Sequence, residues 1–304
     1  RRAGDVAMVH SIFFACSLIT SCIQLGGWAV AYALRTEKFY DILGGLNFLA
    51  LAAFSAATAD GWEADRRKVA ATMIFCCSRS WLLVFLAWRA HERGGDARFD
   101  DVKGRPGLFL VFWIMQGVWV MLVSSPVLLI NSSVAAPPLA GAETLLLCGF
   151  LLGVVCEVAA DVQKALWVRA GRRGGFCTVG LWGYSRHPNY FGEMLQWWCA
   201  WLLAFAVSSG LTDPVWWATA VSPLFTMHVL LNLPATGVAQ ANGNNLARYY
   251  DAWPDEYARY RASTSILLPM VGYAHVPLAL KRTLFLDLAR YEYRPGGKPG
   301  GKRE

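Results

Sequence analysis

The chain has 304 residues, of which 56% are apolar and only 16% charged, well below the roughly 25% charged residues of a soluble domain. About seven bilayer spans of about 20 residues would use roughly 140 positions, so the composition points to an all-α polytopic membrane protein and excludes disordered, collagenous and disulfide-stapled secreted classes. The net charge of +7 sits in short basic groups between apolar runs, which fits inter-span loops and argues against nucleic-acid binding.

Charge-free intervals place the spans. The first covers about residues 6–34, too long for the apolar core of a signal peptide. A second covers 42–59, and a third 69–88 with Arg79 at mid-span. The fourth lies within 106–142, its exit marked by Asn131-Ser132-Ser133 and Pro137-Pro138. A fifth begins near Thr144 and ends in a turn carrying Glu157, Asp161 and Lys164; the sixth covers about 190–209 and the seventh about 214–233. Seven of the eight cysteines fall inside apolar runs and Cys177 in a loop, with no CxxC spacing, so all are expected as small packed side chains and no metal site is expected. Residues 294–304, rich in Gly, Pro and Lys, are expected to be disordered.

Lys and Arg set the orientation, because they are retained on the cytoplasmic side more readily than they are translocated. Arg89, Arg93, Arg98, Lys103 and Arg105 follow span three, and Arg169, Arg172, Arg173 and Arg186 follow span five. The C-terminal segment is thereby expected in the cytoplasm. Arg66-Arg67-Lys68, between spans two and three, opposes that assignment.

Chemistry concentrates at the cytoplasmic ends of the last spans. The stretch 180–193, GLWGYSRHPNYFGE, brings a cation (Arg186), an imidazole (His187), a carboxamide (Asn189) and a carboxylate (Glu193) to the mouth of one span. Pro188 favours the first helical turn, so Asn189 and Glu193, four apart, share a face. Glu157 and Asp161 are likewise four apart on span five, with Lys164 a turn further on. Each piece also has a structural reading: His187-Pro188 as a cap, Glu157 pairing Lys164, Asp161 pairing Arg169, Glu193 pairing Arg186. Together they suit a polar, phosphate-bearing ligand, with Arg172, Arg173 and Arg186 as forked donors and Trp182 and Tyr184 as stacking surfaces.

This segment resembles the C-terminal half of the steroid 5-alpha-reductase-like superfamily, which includes the Δ14-sterol reductases, and a subgroup of it with the same RHPNYFGE core. Tyr40-Asp41 with Gly44, residues 95–100, Gln116 to Pro126 and residues 157–164 fit the subgroup in order. The resemblance implies a first helix over 1–34, a membrane domain over 35–270 with its cofactor half at about 143–270, and an amphipathic segment and tail over 271–304. It implies NADPH among the last helices, contacted by Glu157, Asp161, Trp182, Asn189, Glu193, Tyr250 and Tyr257 with His187 adjacent. It also implies reduction of a carbon–carbon double bond in a lipid-soluble, sterol-, enone- or polyprenol-like substrate within the membrane lipids, in the endoplasmic reticulum membrane.

The sequence departs from that pattern in two places. An Arg of the sterol reductases falls where this chain has Gly237-Val238, and a Glu of the subgroup falls near Asn242. The steroid reductases polarise their ketone with a Glu in span two and a Tyr in span three, and both are missing here. Arg79 is instead the candidate for stabilising developing charge, since an intramembrane Arg is costly, with Tyr40 and Asp41 as candidate proton donors. Two other readings stay open: an S-adenosylmethionine-dependent methyltransferase of the isoprenylcysteine carboxyl type, and a lipid-binding or scaffold protein without turnover.

Overall fold

The structure, a computed structural model, describes residues 3–93, 99–134, 138–172, 175–233, 237–238, 249–288 and 291. The expected tail 294–304, Arg98, Arg173 and Asn242 lie outside the described residues. Ten α-helices follow in order among them: α1 (Ala3–Leu34), α2 (Tyr40–Ala57), α3 (Arg66–Arg93), α4 (Pro106–Asn131), α5 (Gly141–Arg169), α6 (Pro188–Ala204), α7 (Pro214–Thr219), α8 (Val221–Leu231), α9 (Pro254–Ser263) and α10 (Leu278–Thr283). The described residues form no strand, only an isolated parallel bridge between Ser185 and Ser265. The protein is an all-α, multi-pass membrane protein.

Six helical segments have the length and apolarity of a span: α1, α2, α3, α4, α5 and the α7–α8 pair. The helix expected as the sixth of seven, α6, has 17 residues and passes into a 3-10 turn at Phe205–Val207. At 1.5 Å per residue it is about 26 Å long, and the 3-10 turn adds about 6 Å at about 2 Å per residue, so the two together only just match a hydrocarbon core of about 30 Å. The last apolar run is not one helix either. Pro223 has no N–H to offer the Thr219 carbonyl one turn back, and the helix breaks there, at Ala220. In α4, Pro126 leaves the Leu122 carbonyl without its helical donor, and the Ser125 hydroxyl takes that place at 2.8 Å. α4 therefore continues through its proline.

The chain divides into two compact units, Arg1–Leu151 with Trp197–Pro223 and Leu152–Gln196 with Leu224–Glu304. In the first, hydrophobic contact cannot select helix partners within lipid, so small and polar side chains do so. Gln24 donates to Asn47 Oδ1 at 3.1 Å and Asn47 donates to Thr20 at 3.2 Å, joining α1 to α2. Asn131 donates to Ser55 and Thr72 at 2.9 and 3.0 Å, joining α4 to α2 and α3. Trp201 and Trp216 stack with centroids 4.6 Å apart, and each indole N–H donates to the other residue's carbonyl.

The opposing basic triplet belongs to the first turn of α3. Arg67 and Lys68 are 1% and 2% exposed. The Arg67 Nε donates to Glu143 at 3.0 Å, and the Lys68 ammonium donates to the carbonyls of Asp60 and Ser133 at 2.7 and 2.6 Å. These two cations act as internal ties between helix ends. Of the cysteines, Cys16, Cys156, Cys177 and Cys199 are buried as expected, whereas Cys22, Cys77 and Cys148 are exposed on apolar helices; all eight are free thiols.

Removing one partner of a buried ion pair costs about 3–5 kcal/mol, while replacing both by apolar groups is often neutral. Glu143→Gln should thus lower the thermal unfolding midpoint in detergent. The double variant Arg67→Met, Glu143→Leu should recover most of the loss.

Candidate functional site

The second unit is organised by a close crossing of α5 and α6. A Cβ on Gly192 would stand 2.6 Å from the Gly153 carbonyl oxygen, and one on Gly153 would stand 2.7 Å from the Gly192 carbonyl oxygen. The two backbones touch, which only glycine permits. With the helices this near, short polar side chains on the facing stripes meet. Gln196 donates to Glu157 at 2.7 Å and to the Gly192 carbonyl at 3.3 Å. Asn189 Nδ2 donates to Asp161 at 3.2 Å. Glu157 and Asp161 are buried, so each carboxylate depends on such donors in place of water.

The expected facing of α5 and α6 is thereby found, with partners the sequence reading had not paired. Glu157 binds Gln196, Asp161 binds Asn189, and the Lys164 ammonium lies 4.1 Å from the centroid of the Trp182 ring. Glu193 sits half-buried one turn after Asn189.

The 3-10 turn Gly180–Gly183 is pinned onto α5. Gly180 has φ +57, and a Cβ there would strike the Gln163 carboxamide; that carboxamide accepts from Leu181 N at 2.9 Å. The Trp182 indole N–H donates to the Ala160 carbonyl at 2.8 Å, and the Trp182 carbonyl accepts from Tyr260 at 2.6 Å. Tyr184, the other expected stacking surface, is half-exposed. Arg172 is exposed in a left-handed conformation with φ 55.

Arg186, expected to face phosphate, is buried and ion-paired with Asp287, which also accepts from Tyr273 at 2.9 Å. Its backbone N–H donates to the Ser265 carbonyl at 2.8 Å, next to the Ser185 hydroxyl, which donates to the Leu267 carbonyl at 2.6 Å. His187 is buried and stacked on Tyr190 at 5.2 Å. The loop carrying the basic and imidazole residues is thus bolted to the segment after α9.

Phe176, Tyr249, Tyr250, Trp253, Tyr257 and Tyr260 form an aromatic cluster against this loop. Tyr257 packs on Phe176 at 5.0 Å and on Tyr250 at 5.3 Å, and Tyr250 accepts from Arg261 at 3.1 Å. Burial pushes the Tyr257 phenol up to about 12, against the opposing pull of Arg186 and Arg261. Burial raises Tyr260 and Tyr273 as well, the latter aided by the Asp287 carboxylate. Three buried atoms, Arg186 Nε, Asn189 Oδ1 and Arg261 Nε, lack a hydrogen-bond partner among the described residues.

The three residues expected to act on substrate lie in the first unit. Arg79 is fully buried. It donates to Ser78 at 2.7 and 3.3 Å and lies 4.8 and 5.5 Å from the ring centroids of Trp197 and Phe48. The Tyr40 hydroxyl donates to the Phe112 carbonyl at 2.8 Å. Asp41 occupies the first turn of α2, where the helix dipole favours a carboxylate.

With this geometry in view, comparison with known proteins places the chain. The family model described as "Protein of unknown function (DUF1295)" matches residues 27–264. The chain belongs to this family. It is also 25% identical over 166 residues to a Delta(14)-sterol reductase of Arabidopsis thaliana, covering 47% of this chain and 38% of that protein. The chain thus spans well under half the length of the curated relative it matches. No solved structure matches it.

The sequence reading missed Gln196, Tyr273 and Asp287. Gln196 was findable, because 189, 193 and 196 follow helical spacing. The neutral phenols carry a pH signature. Native Tyr257 holds its proton more tightly than the unfolded chain does, so its contribution to stability is complete below pH 10 and declines as pH rises from 10 through 12. Tyr257→Phe should flatten that decline by up to about 1.4 kcal/mol per pH unit, read from denaturant midpoints between pH 9 and 12.

Proposed function

We propose that the protein is a membrane-bound reductase of a carbon–carbon double bond in a lipid-soluble, sterol-, enone- or polyprenol-like substrate, with NADPH as the reductant. What carries the reading is the α5–α6 crossing, which gathers the buried Glu157, Asp161 and Gln196 and the half-buried Asn189 and Glu193 on facing stripes of two helices. The similarity to a Delta(14)-sterol reductase supports the reaction class. The reading also places the protein in the endoplasmic reticulum membrane with a cytoplasmic C-terminal segment. Arg66, Arg67 and Lys68 still oppose this orientation by the Lys/Arg count, with Arg67 paired to Glu143 and Lys68 held by carbonyls at the start of α3.

The polar atoms present fit a dinucleotide. Arg186 Nε supplies an unused donor and Asn189 Oδ1 an unused acceptor, matching a ligand with phosphate oxygens at one end and a carboxamide at the other. Asp161 orients Asn189 by accepting from its Nδ2, so that Oδ1 is the atom left to accept. Asp161, Glu157, Asn189 and Glu193 would hold the nicotinamide end, Trp182, Tyr184, Tyr250 and Tyr257 would offer ring faces, and Lys164, Arg172 and Arg173 would neutralise phosphates, with His187 alongside. When bound, the reduced nicotinamide supplies hydride. In the first unit, Arg79 would stabilise negative charge developing on the substrate, and Tyr40 and Asp41 would be the proton source.

A ligand that binds only the folded state raises its unfolding midpoint, by about 2.7 kcal/mol of stability at a hundred times Kd. NADPH should raise the midpoint of the purified protein in detergent more than NADH or S-adenosylmethionine. Asn189→Ala should weaken that response at least tenfold, over and above the fall in the ligand-free midpoint caused by losing the bond to the buried Asp161 carboxylate. A response to S-adenosylmethionine alone would overturn the reductase in favour of a methyltransferase. No response to any of the three from a monodisperse protein would favour a non-enzymatic lipid-binding role.

A further inference from the structure

A second polar site lies in the first unit, where α2 ends, α3 begins, and α4 leads into α5. A cavity of about 720 Å³ opens there, lined by Asp60, Asp65, Arg66, Lys68 and Thr144 on its polar side and by Val134, Pro138 and Leu139 on its apolar side. That volume is in the range of about 300–1,000 Å³ typical of small-molecule sites.

The charged groups lining it are left open to a ligand. Lys68 is 2% exposed, and its ammonium spends two of its three donors on the carbonyls of Asp60 and Ser133. No carboxylate lies within salt-bridge distance of it among the described residues. Asp65 is committed to the start of α3, accepting from the backbone N–H groups of Arg67 and Lys68 at 2.9 and 3.4 Å and lying 3.7 Å from Arg67 Nη1. The Asp60 carboxylate and the Arg66 guanidinium, both exposed, line the same cavity and form no side-chain hydrogen bond with each other among the described residues, and the Asp60 charge acts on the Lys68 ammonium from beyond ion-pair distance. A buried ammonium that hydrogen-bonds only to carbonyls, an exposed guanidinium and an exposed carboxylate thus share one space.

We propose that this cavity binds a phosphoethanolamine headgroup, its phosphate on Lys68 and Arg66 and its primary ammonium on Asp60. A simple anion would face two carboxylates and a simple cation would face two cationic side chains; a zwitterion satisfies both. The amine is primary because Asp60 accepts N–H donors, whereas a quaternary ammonium is recognised by aromatic faces, and no aromatic residue lines the cavity among the described residues. Val134, Pro138 and Leu139 provide the apolar continuation along which a glycerolipid's backbone and chains leave the site.

The test is native mass spectrometry of the full chain in detergent, with phosphatidylethanolamine, phosphatidylcholine and phosphatidylglycerol of identical acyl chains, and with glycerophosphoethanolamine as the chain-free form. Phosphatidylethanolamine should bind at least tenfold more tightly than the other two lipids. Asp60→Asn, at an exposed position that forms no side-chain tie, should abolish the preference over phosphatidylcholine, and Arg66→Gln should weaken all three lipids together. Tighter binding of the lipid than of glycerophosphoethanolamine identifies a bilayer lipid as the occupant, and the reverse identifies a water-soluble phosphoethanolamine compound; both support headgroup recognition. Equal binding of the three lipids, or a preference that survives Asp60→Asn, overturns the proposal. Neither result bears on the NADPH response, which reads residues of the other unit.

Discussion

Where α5 and α6 cross, Gly153 and Gly192 bring two backbones into contact, and that contact sets how far a side chain has to reach. Asn189 and Gln196 flank that contact on α6, opposite two carboxylates of α5. With no Cβ between them, they donate to Asp161 and Glu157 at 3.2 and 2.7 Å. In a medium of low dielectric these bonds are strong when formed and costly when absent, so the crossing fixes the orientation of both carboxamides. The 3-10 turn, the aromatic cluster and the Arg186–Asp287 pair then attach in sequence to this frame, through Gln163, Trp182 and Tyr260. The polar groups that the proposed function assigns to a charged, water-soluble ligand are thereby assembled from helix ends and from the segments that follow them.

Buried cations serve three different purposes in the same chain. Arg67 is neutralised by Glu143 and ties α3 to α5. Lys68 is held by two carbonyls beside a cavity that it helps to line. Arg79 lies between the faces of Phe48 and Trp197, where cation–π attraction replaces hydration and is strengthened by the absence of water. A membrane protein retains such groups where they pair or act. The first two close helix ends, whereas the third sits at mid-helix among aromatic rings.

The spans were largely legible because a bilayer demands uninterrupted apolar length. The expected interval 42–59 became Tyr40–Ala57, and the exit signal at Asn131 is where α4 ends. Composition hid the ends of elements. Arg66, Arg67 and Lys68 look like a loop by charge, yet they form a helical turn because Asp65 accepts from the backbone N–H groups of Arg67 and Lys68, whose side chains meet Glu143 and the Ser133 carbonyl. The shortness of α6 and the break at Ala220 follow from a 3-10 turn and from Pro223, features that a hydropathy count averages away. Within the site, the two carboxylates of α5 and the Asn189 face of α6 were readable from helical spacing. Their partners depended on the Gly153–Gly192 contact and on residues such as Asp287, a hundred positions from Arg186, and such distances carry no local pattern.

The most direct measurement of the proposed dinucleotide site is amide hydrogen exchange of the whole protein in detergent, with and without saturating NADPH. Added protection concentrated in residues 180–196 and 253–268, the turn, the start of α6 and the α9 segment locked to it, is the expected result. Unchanged exchange in those two segments at saturating NADPH, or protection there by S-adenosylmethionine in its place, would contradict it.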